Sequence, residues 1–121
     1  MLKTNAAETF LSAQAPSSCI RVSTGKVDRV AGGARSLSFA NGHPLAAQVT
    51  AMGCALGAVI AAATAATDDP FLAAAAAVAL YGVAGDRAGD GAPGPGSFAV
   101  RFYDALSGLD GATVTQQMRV P

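Results

Sequence analysis

The chain has 121 residues, of which 51% are hydrophobic, and eight basic side chains balance eight acidic ones. This length supports one domain, or part of one, with a buried core. Neither charge sign clusters, which argues against a nucleic-acid partner, because such surfaces normally carry a basic patch. Cys19 and Cys54 could in principle pair, but the chain does not resemble a secreted disulfide scaffold. We therefore expect reduced thiols and a cytoplasmic location.

The amino-terminal part predicts one helix and a small sheet. Residues 5–14 are expected to form a short helix that ends at Pro16, without the hydrophobic run of a secretion signal. Three segments with strand character follow and are separated by glycine-containing turns: 19–23, 26–30 and 36–40. A further turn is predicted at residues 41–44, where glycine and proline both break regular structure.

From residue 51 onward the pattern becomes helical. Alanine, the strongest helix former, dominates a first helix from residue 51 or 52 to residue 66. Asp69 is expected to cap a second helix, with Pro70 at its first position, and this helix extends to about Arg87.

The sequence GDGAPGPG predicts a loop, after which Ser97 is expected to cap a third helix. The apolar residues of this helix fall on one stripe: Phe98, Phe102, Ala105, Leu106 and Leu109. Gly111 is expected to end it, leaving a short polar tail. A few strands cannot cover three helices with apolar faces in two layers. The pattern therefore predicts that residues 1–121 form a single but incomplete α/β domain, in which a few strands precede three packed helices.

A membrane hairpin is the competing interpretation of the apolar segments. Residues 36–67 and 70–85 contain no charged side chain, and Gly53 and Gly57 form the GxxxG pattern of packed membrane helices. However, a span needs about 20 mostly large apolar residues, and alanine dominates here. No Lys/Arg cluster or Trp marks a membrane interface. Close-packed helices of a soluble protein explain the small residues better.

Cys54 is the strongest candidate for chemistry. It stands at the expected start of a helix, where free backbone N–H groups and the positive end of the helix dipole attract an anion. Gly53 allows a ligand to approach the backbone closely. The same field favours a thiolate, which suits a proton acceptor. The alternative is a small buried cysteine that only contributes to packing.

The other candidates are weaker. His43 and Cys54 could form a nucleophilic pair, although no third, orienting residue is evident. One histidine and two distant cysteines lack the spacing of a metal site. Thr24, directly after a strand, either faces a ligand or belongs to a plain turn. Asp28 and Asp86 are expected to be ordinary surface carboxylates.

Several short segments together resemble a known family. STGKVDRV, NGHPL, VTAMGCALGAVIAA, DDPFLAAAAAVALYGVAG, GPGSF and DAL occur in the order and at the spacing of the carboxyl half of hydroxyethylthiazole kinases. The resemblance covers residues 19–109. It implies a ribokinase-like fold, with this chain as the nucleotide-binding half. It also implies transfer of the γ-phosphate of ATP, with Mg²⁺, to the hydroxyl of hydroxyethylthiazole in thiamine biosynthesis or salvage.

The resemblance also implies roles for four residues. Cys54 occupies the position of the general base, which is an Asp in related ribokinase-like enzymes; the cysteine favours a thiazole kinase over a hydroxymethylpyrimidine kinase. Thr24 matches a threonine that contacts ATP. Gly53 would offer its backbone N–H to the transferring phosphate. Ala51 falls where the family usually has a glycine that touches the thiazole.

This sequence departs from the family pattern in two ways. The usual GTGC is AMGC here, so Ala51 adds a methyl group near the substrate and Met52 removes a hydroxyl. In addition, the family's amino half, with much of the thiazole pocket, an ATP-contacting arginine and metal-associated acidic residues, has no counterpart here. Family members form trimers with the thiazole site between subunits, so we expect a homo-oligomer or a complementing amino-terminal half. A non-catalytic remnant or interaction subunit is the alternative.

Overall fold

The computed structural model describes residues 19–121, so the helix predicted over residues 5–14 lies outside the described residues. Three strands form an antiparallel sheet in the order β1-β2-β3: β1 is Arg21–Ser23, β2 is Asp28–Gly32 and β3 is Arg35–Phe39. Val30 pairs with both Val22 and Leu37. Gly33, at φ 59°, supplies the left-handed conformation that the tight β2–β3 turn requires. All three predicted strands are confirmed.

Four α-helices follow a short 3₁₀-helix at Pro44–Gln48. They are α1 (Met52–Ala63), α2 (Pro70–Gly89), α3 (Pro95–Gly108) and α4 (Gly111–Gln117). The predicted boundary at Asp69 and Pro70 is confirmed, since the Asp69 carboxylate accepts the N–H groups of Phe71 and Leu72.

Two predictions about the carboxyl-terminal part are wrong. Helix α3 starts at Pro95 instead of after Ser97, because proline suits the first turn of a helix. Gly111 begins a fourth helix instead of ending the third. The carboxylate of Asp110 accepts the N–H of Thr113 at 2.8 Å and so caps that helix.

Helix α2 is the centre of the fold. Its Val78 packs with Val30 and Phe39 of the sheet, and its Ala84 and Ala88 pack with the fully buried Phe98 and Phe102 of α3. By length and composition alone α2 could cross a membrane, yet 67% of its apolar window is buried against other elements. A core helix of a globular protein has the same properties.

Helix α1 is buried on one side only. Leu56 faces the core with Ile60 packed beside it, whereas Gly53, Cys54 and Gly57 are exposed. The alternative in which Cys54 is a buried packing residue is therefore wrong. Cys19 is also exposed, and both thiols are free.

Candidate functional site

The first turn of α1 presents unpaired backbone donors. The carbonyl of Ala51 accepts the first helical hydrogen bond, from the N–H of Ala55 at 2.9 Å, and no side chain caps this end. The N–H groups of Met52, Gly53 and Cys54 therefore have no partner within the helix. Together with the helix dipole they favour an anion in front of this turn, as the sequence predicts.

Ala51 itself has an unusual backbone. It lies in the left-handed region at φ 66° and ψ 17°, and it is the one non-glycine residue with positive φ among residues 19–121. An L-residue pays about 1–2 kcal/mol for this conformation, whereas glycine adopts it freely. The helix thus starts at a position whose geometry suits glycine.

A cleft of about 660 Å³ opens in front of this turn. Its walls come from the β1–β2 turn, the loop after β3, the first turn of α1 and the middle of α2. Several of the residues that line it have polar side chains: Thr24, Lys26, Asp28, Asn41 and His43. Gly53, which has no side chain, lines it with its backbone. The fold therefore brings two of the residues singled out in the sequence, Thr24 and Gly53, to one cavity.

Cys54 and Ala51 are not among the residues that line this cleft. Each adjoins a lining residue in the chain, because Met52 and Gly53 stand between them, and both are exposed to solvent. A Cβ at Gly53 would meet no atom within 4 Å, so the space beside its Cα is open. Because Gly53 is also exposed, there is room for an incoming group next to the first turn of α1.

The β1–β2 turn brings both charge signs to the cleft. Lys26 is the one Lys or Arg among the lining residues of the described chain. Asp28 accepts the backbone N–H of Gly25 at 3.0 Å and so closes the turn. Burial raises the pKa of the Asp28 carboxyl, and the hydrogen bond from Gly25 opposes this rise. The expectation that Asp28 is an ordinary surface carboxylate is therefore wrong.

The loop after β3 forms another wall and is held tightly. Asn41 is only 3% exposed, and its side-chain amide donates to Asp86 at 2.6 Å. The N–H of Gly42 donates to the other Asp86 oxygen at 2.9 Å. Asp86 is thus not an ordinary surface carboxylate either, because it anchors a wall of the cleft.

Glycines of α2 make room for this loop. A Cβ at Gly82 would lie 2.8 Å from Cβ of Asn41, and one at Gly89 would overlap the ring of His43. Side chains at these positions would push the loop away from α2. These glycines were overlooked in the sequence; Gly82, Gly85 and Gly89 recur on one helix face, and this spacing could have indicated the close approach.

His43 has a structural role. Its Nδ1 accepts the N–H of Leu45 at 3.2 Å and caps the 3₁₀-helix. Its ring stacks on Phe98 with 5.9 Å between ring centroids. These contacts explain the position of the His43 ring, and neither of them involves Cys54. Within residues 19–121, no group of three His, Cys, Asp or Glu side chains is arranged to hold a metal ion.

Comparison with known proteins identifies the relatives of this chain. The model of the hydroxyethylthiazole kinase family matches residues 3–111. A hydroxyethylthiazole kinase of Cereibacter sphaeroides is 54% identical over 86 residues, which are 71% of this chain and 32% of that protein. A probable hydroxyethylthiazole kinase of Agrobacterium fabrum is 40% identical over 120 residues, which are 99% of this chain and 48% of that protein.

A solved structure gives the same result for the fold. Hydroxyethylthiazole kinase from Pyrococcus horikoshii OT3 superposes with a TM-score of 0.80 at 34% identity, covering 86% of this chain and 41% of that one. The α/β class and the resemblance noted in the sequence are confirmed. The chain spans less than half the length of each of these three relatives.

Proposed function

This chain belongs to the hydroxyethylthiazole kinase family, and on that premise we propose that it is the nucleotide-binding part of a kinase. The reaction is transfer of the γ-phosphate of ATP to the hydroxyl of hydroxyethylthiazole. One observation supports the proposal most directly: Thr24 and Gly53, which lie far apart in the sequence, line the same cleft.

The described residues suit the phosphates of a nucleotide. The Thr24 hydroxyl can donate a hydrogen bond, and the Lys26 ammonium supplies a positive charge at the same cleft. The unpaired N–H groups at the start of α1 add donors for a phosphate. Mg²⁺ is commonly held by one or two carboxylates together with the nucleotide phosphates, and Asp28 is the carboxylate that lines the cleft among residues 19–121.

Cys54 is the general base in this proposal. Its thiolate takes the proton of the substrate hydroxyl while the hydroxyl oxygen bonds to the γ-phosphorus. The bond from that phosphorus to the bridging oxygen breaks, and ADP leaves. The amide of Gly53 donates to the transferring phosphate. Phosphoryl transfer depends mainly on positioning and charge stabilisation, which a helix amino end supplies.

Ala51 is the proposed substrate-contacting residue. It immediately precedes α1 and is exposed, which fits a residue that touches a ligand arriving from outside the cleft. Its methyl group takes space that a glycine would leave open, so we propose that it tunes the fit of the thiazole.

We further propose that residues 1–121 form part of one kinase domain in the cytoplasm. The relatives are more than twice as long as the region they share with this chain. A complementing amino-terminal half, or other copies in a trimer, would then complete the thiazole site. The exposed, uncharged face of α1 near Cys54 is compatible with such a neighbour.

Protection of Cys54 from alkylation tests the proposal. Because Cys19 is also exposed, the experiment uses a Cys19→Ser background, and a Cys54→Ser chain that keeps Cys19 is the control. We expect saturating Mg-ATP to slow alkylation of Cys54 and to leave Cys19 unaffected. In an assembly that phosphorylates hydroxyethylthiazole, we also expect Cys54→Ala to abolish that phosphorylation while ATP still binds. Alkylation of Cys54 at an unchanged rate under saturating Mg-ATP would contradict the site.

A further inference from the structure

The carboxyl-terminal segment after α4 returns to the loop that forms a wall of the cleft. The backbone N–H of Ala40 donates to the carbonyl of Arg119 at 2.8 Å, and the N–H of Arg119 donates to Oδ1 of Asn41 at 2.6 Å. The Asn41 side chain also donates to the carbonyl of Gln117 at 3.0 Å. Residues 117–119 therefore run alongside residues 40 and 41.

Two charged side chains join this segment to helix α2. The Arg119 guanidinium donates to both carboxylate oxygens of Asp86, at 3.0 and 3.3 Å, and to the carbonyl of Ala40 at 2.9 Å. The same carboxylate accepts from the side chain of Asn41 and the backbone of Gly42. The Asp86 carboxylate thus accepts hydrogen bonds both from the loop after β3, through Asn41 and Gly42, and from Arg119.

The buried amide of Asn41 makes this arrangement sensitive to change. Its oxygen and its nitrogen are both paired, and the side chain is almost fully buried. A buried polar group that loses its partner costs more than an exposed one, because it cannot bond to water instead. Loss of Asp86 would therefore leave the Asn41 amide nitrogen without one of its two acceptors. The Arg119 side chain acts indirectly, because it bonds the Asp86 carboxylate and the carbonyl of Ala40 and so holds both next to Asn41.

We propose that Asp86 and Arg119 are positioning residues for the nucleotide cleft. Together they clasp residues 117–119 to residues 40–43, so that the last few residues of the chain set the position of the wall formed by Asn41, Gly42 and His43. Neither side chain is assigned a contact with the nucleotide. The effect on ATP binding rests on the proposed function, whereas the effect on the position of residues 40–43 does not.

A matched pair of variants tests the clasp in the full chain. Arg119→Gln removes one ion pair with Asp86, and Arg35→Gln removes another, with Asp69, from a different part of the fold. The two arginine side chains are about equally exposed, at 57% and 56%. Three quantities are measured for each: the melting temperature, the dissociation constant of Mg-ATP, and hydrogen exchange at the amides of Ala40 and Gly42.

We expect Arg119→Gln to weaken Mg-ATP binding about five- to tenfold and to speed exchange at both amides. Arg35→Gln should lower the melting temperature to a similar extent without changing either readout. Arg119→Lys, which keeps the charge, should restore part of the affinity. Asp86→Asn should have at least the effect of Arg119→Gln, because it weakens the bonds to Asn41 and Gly42 as well.

The two proposals fail in distinguishable ways. If the unmodified chain does not bind Mg-ATP, the proposed function fails, and exchange at Ala40 and Gly42 still decides whether the clasp holds the loop. Unchanged exchange in Arg119→Gln would overturn the clasp. Faster exchange with unchanged ATP affinity would overturn its role in the cleft. Equal loss of affinity in Arg35→Gln would also overturn it, because the effect would then be one of general stability.

Discussion

The hydroxyl of Tyr81, on helix α2, donates a hydrogen bond of 2.5 Å to the backbone carbonyl of Met52, the first residue of α1. The Tyr81 ring also packs edge-on against Phe102, with 4.7 Å between ring centroids. Burial, with a smaller contribution from Tyr103, raises the pKa of Tyr81 to about 12, so the hydroxyl remains a donor at neutral pH. Helix α2 thus holds the first residue of α1, next to the free amides, through this bond.

Tyr81→Phe removes this bond and keeps the ring. We expect a loss of about 1 kcal/mol in the free energy of unfolding, the usual contribution of one hydrogen bond. Mg-ATP should also bind more weakly, because the first turn of α1 is less firmly placed. Tyr103→Phe is the matched control, since that side chain is 54% exposed. Urea unfolding and ATP titration check both variants, and equal effects of the two would contradict the role given to Tyr81.

Ala51→Gly should stabilise the fold. The left-handed backbone at this position strains alanine but not glycine, although the greater freedom of glycine in the unfolded chain offsets part of the gain. We expect a net increase of about 0.5–1 kcal/mol in the free energy of unfolding. The same substitution at Ala58, an exposed helical position in α1, should destabilise by a similar amount. An Ala51→Gly variant that is less stable than the original chain would refute the strain.

Gly53→Ala should separate stability from ligand binding. A methyl group there meets no atom of the protein, and alanine favours the helix by about 0.5–1 kcal/mol. The same methyl group fills the space in which the phosphate is proposed to lie, so Mg-ATP affinity should fall while the melting temperature rises.

Gly57→Ala is the control for that variant. Gly57 lies one turn further along α1, and a Cβ there also meets no atom within 4 Å. Gly57→Ala should raise the melting temperature about as much as Gly53→Ala does, and it should leave the affinity for Mg-ATP unchanged. If Gly53→Ala binds Mg-ATP as well as Gly57→Ala does, the phosphate does not lie against Gly53.

Asp69 should make part of the stability depend on acid pH. The two hydrogen bonds from Arg35, aided by the amides of Leu72 and Phe71, lower its pKa to about 2. The ionised carboxylate therefore stabilises the fold above its ordinary pKa of 3.8, and this contribution is lost as the pH falls from 3.8 towards 2. Asp69→Asn keeps a capping side chain but loses the ion pair.

We therefore expect Asp69→Asn to melt at a lower temperature than the original chain at pH 6, with the difference vanishing near pH 2. Asp68→Asn leaves the Arg35–Asp69 ion pair in place and tests whether any neighbouring negative charge has the same effect; at pH 6 it should lower the melting temperature less than Asp69→Asn does. Melting curves recorded across this range decide the point. A constant difference between Asp69→Asn and the original would contradict the linkage.

Local patterns predicted much of this fold because local physics determines it. Asp69 and Pro70 mark the start of α2 correctly, since a capping carboxylate and a proline both act within one turn. The prediction for Gly111 was wrong because it considered only the glycine, which commonly ends a helix. The neighbouring Asp110 is a capping residue, and it starts a helix at Gly111.

The candidate site could be predicted less completely from the sequence than the fold could. A strand end and a helix start indicated Thr24 and Gly53 as ligand-facing, and the fold brings both to one cleft. The importance of Asp86 depends on Asn41 and Arg119, which are distant in the chain and meet only after folding. No local sequence pattern predicts such a contact. Lys26 was overlooked because a single lysine in a turn is ordinarily just a solvated side chain.

The most direct test of the central claim is an amide-resolved NMR titration of the ¹⁵N-labelled chain with Mg-ATP. The cleft predicts that the backbone N–H resonances of Gly25, Gly53 and Cys54 shift together and follow a single dissociation constant. If these three resonances stay in place at millimolar Mg-ATP, or if the shifts are confined to α4, then the nucleotide does not bind in this cleft.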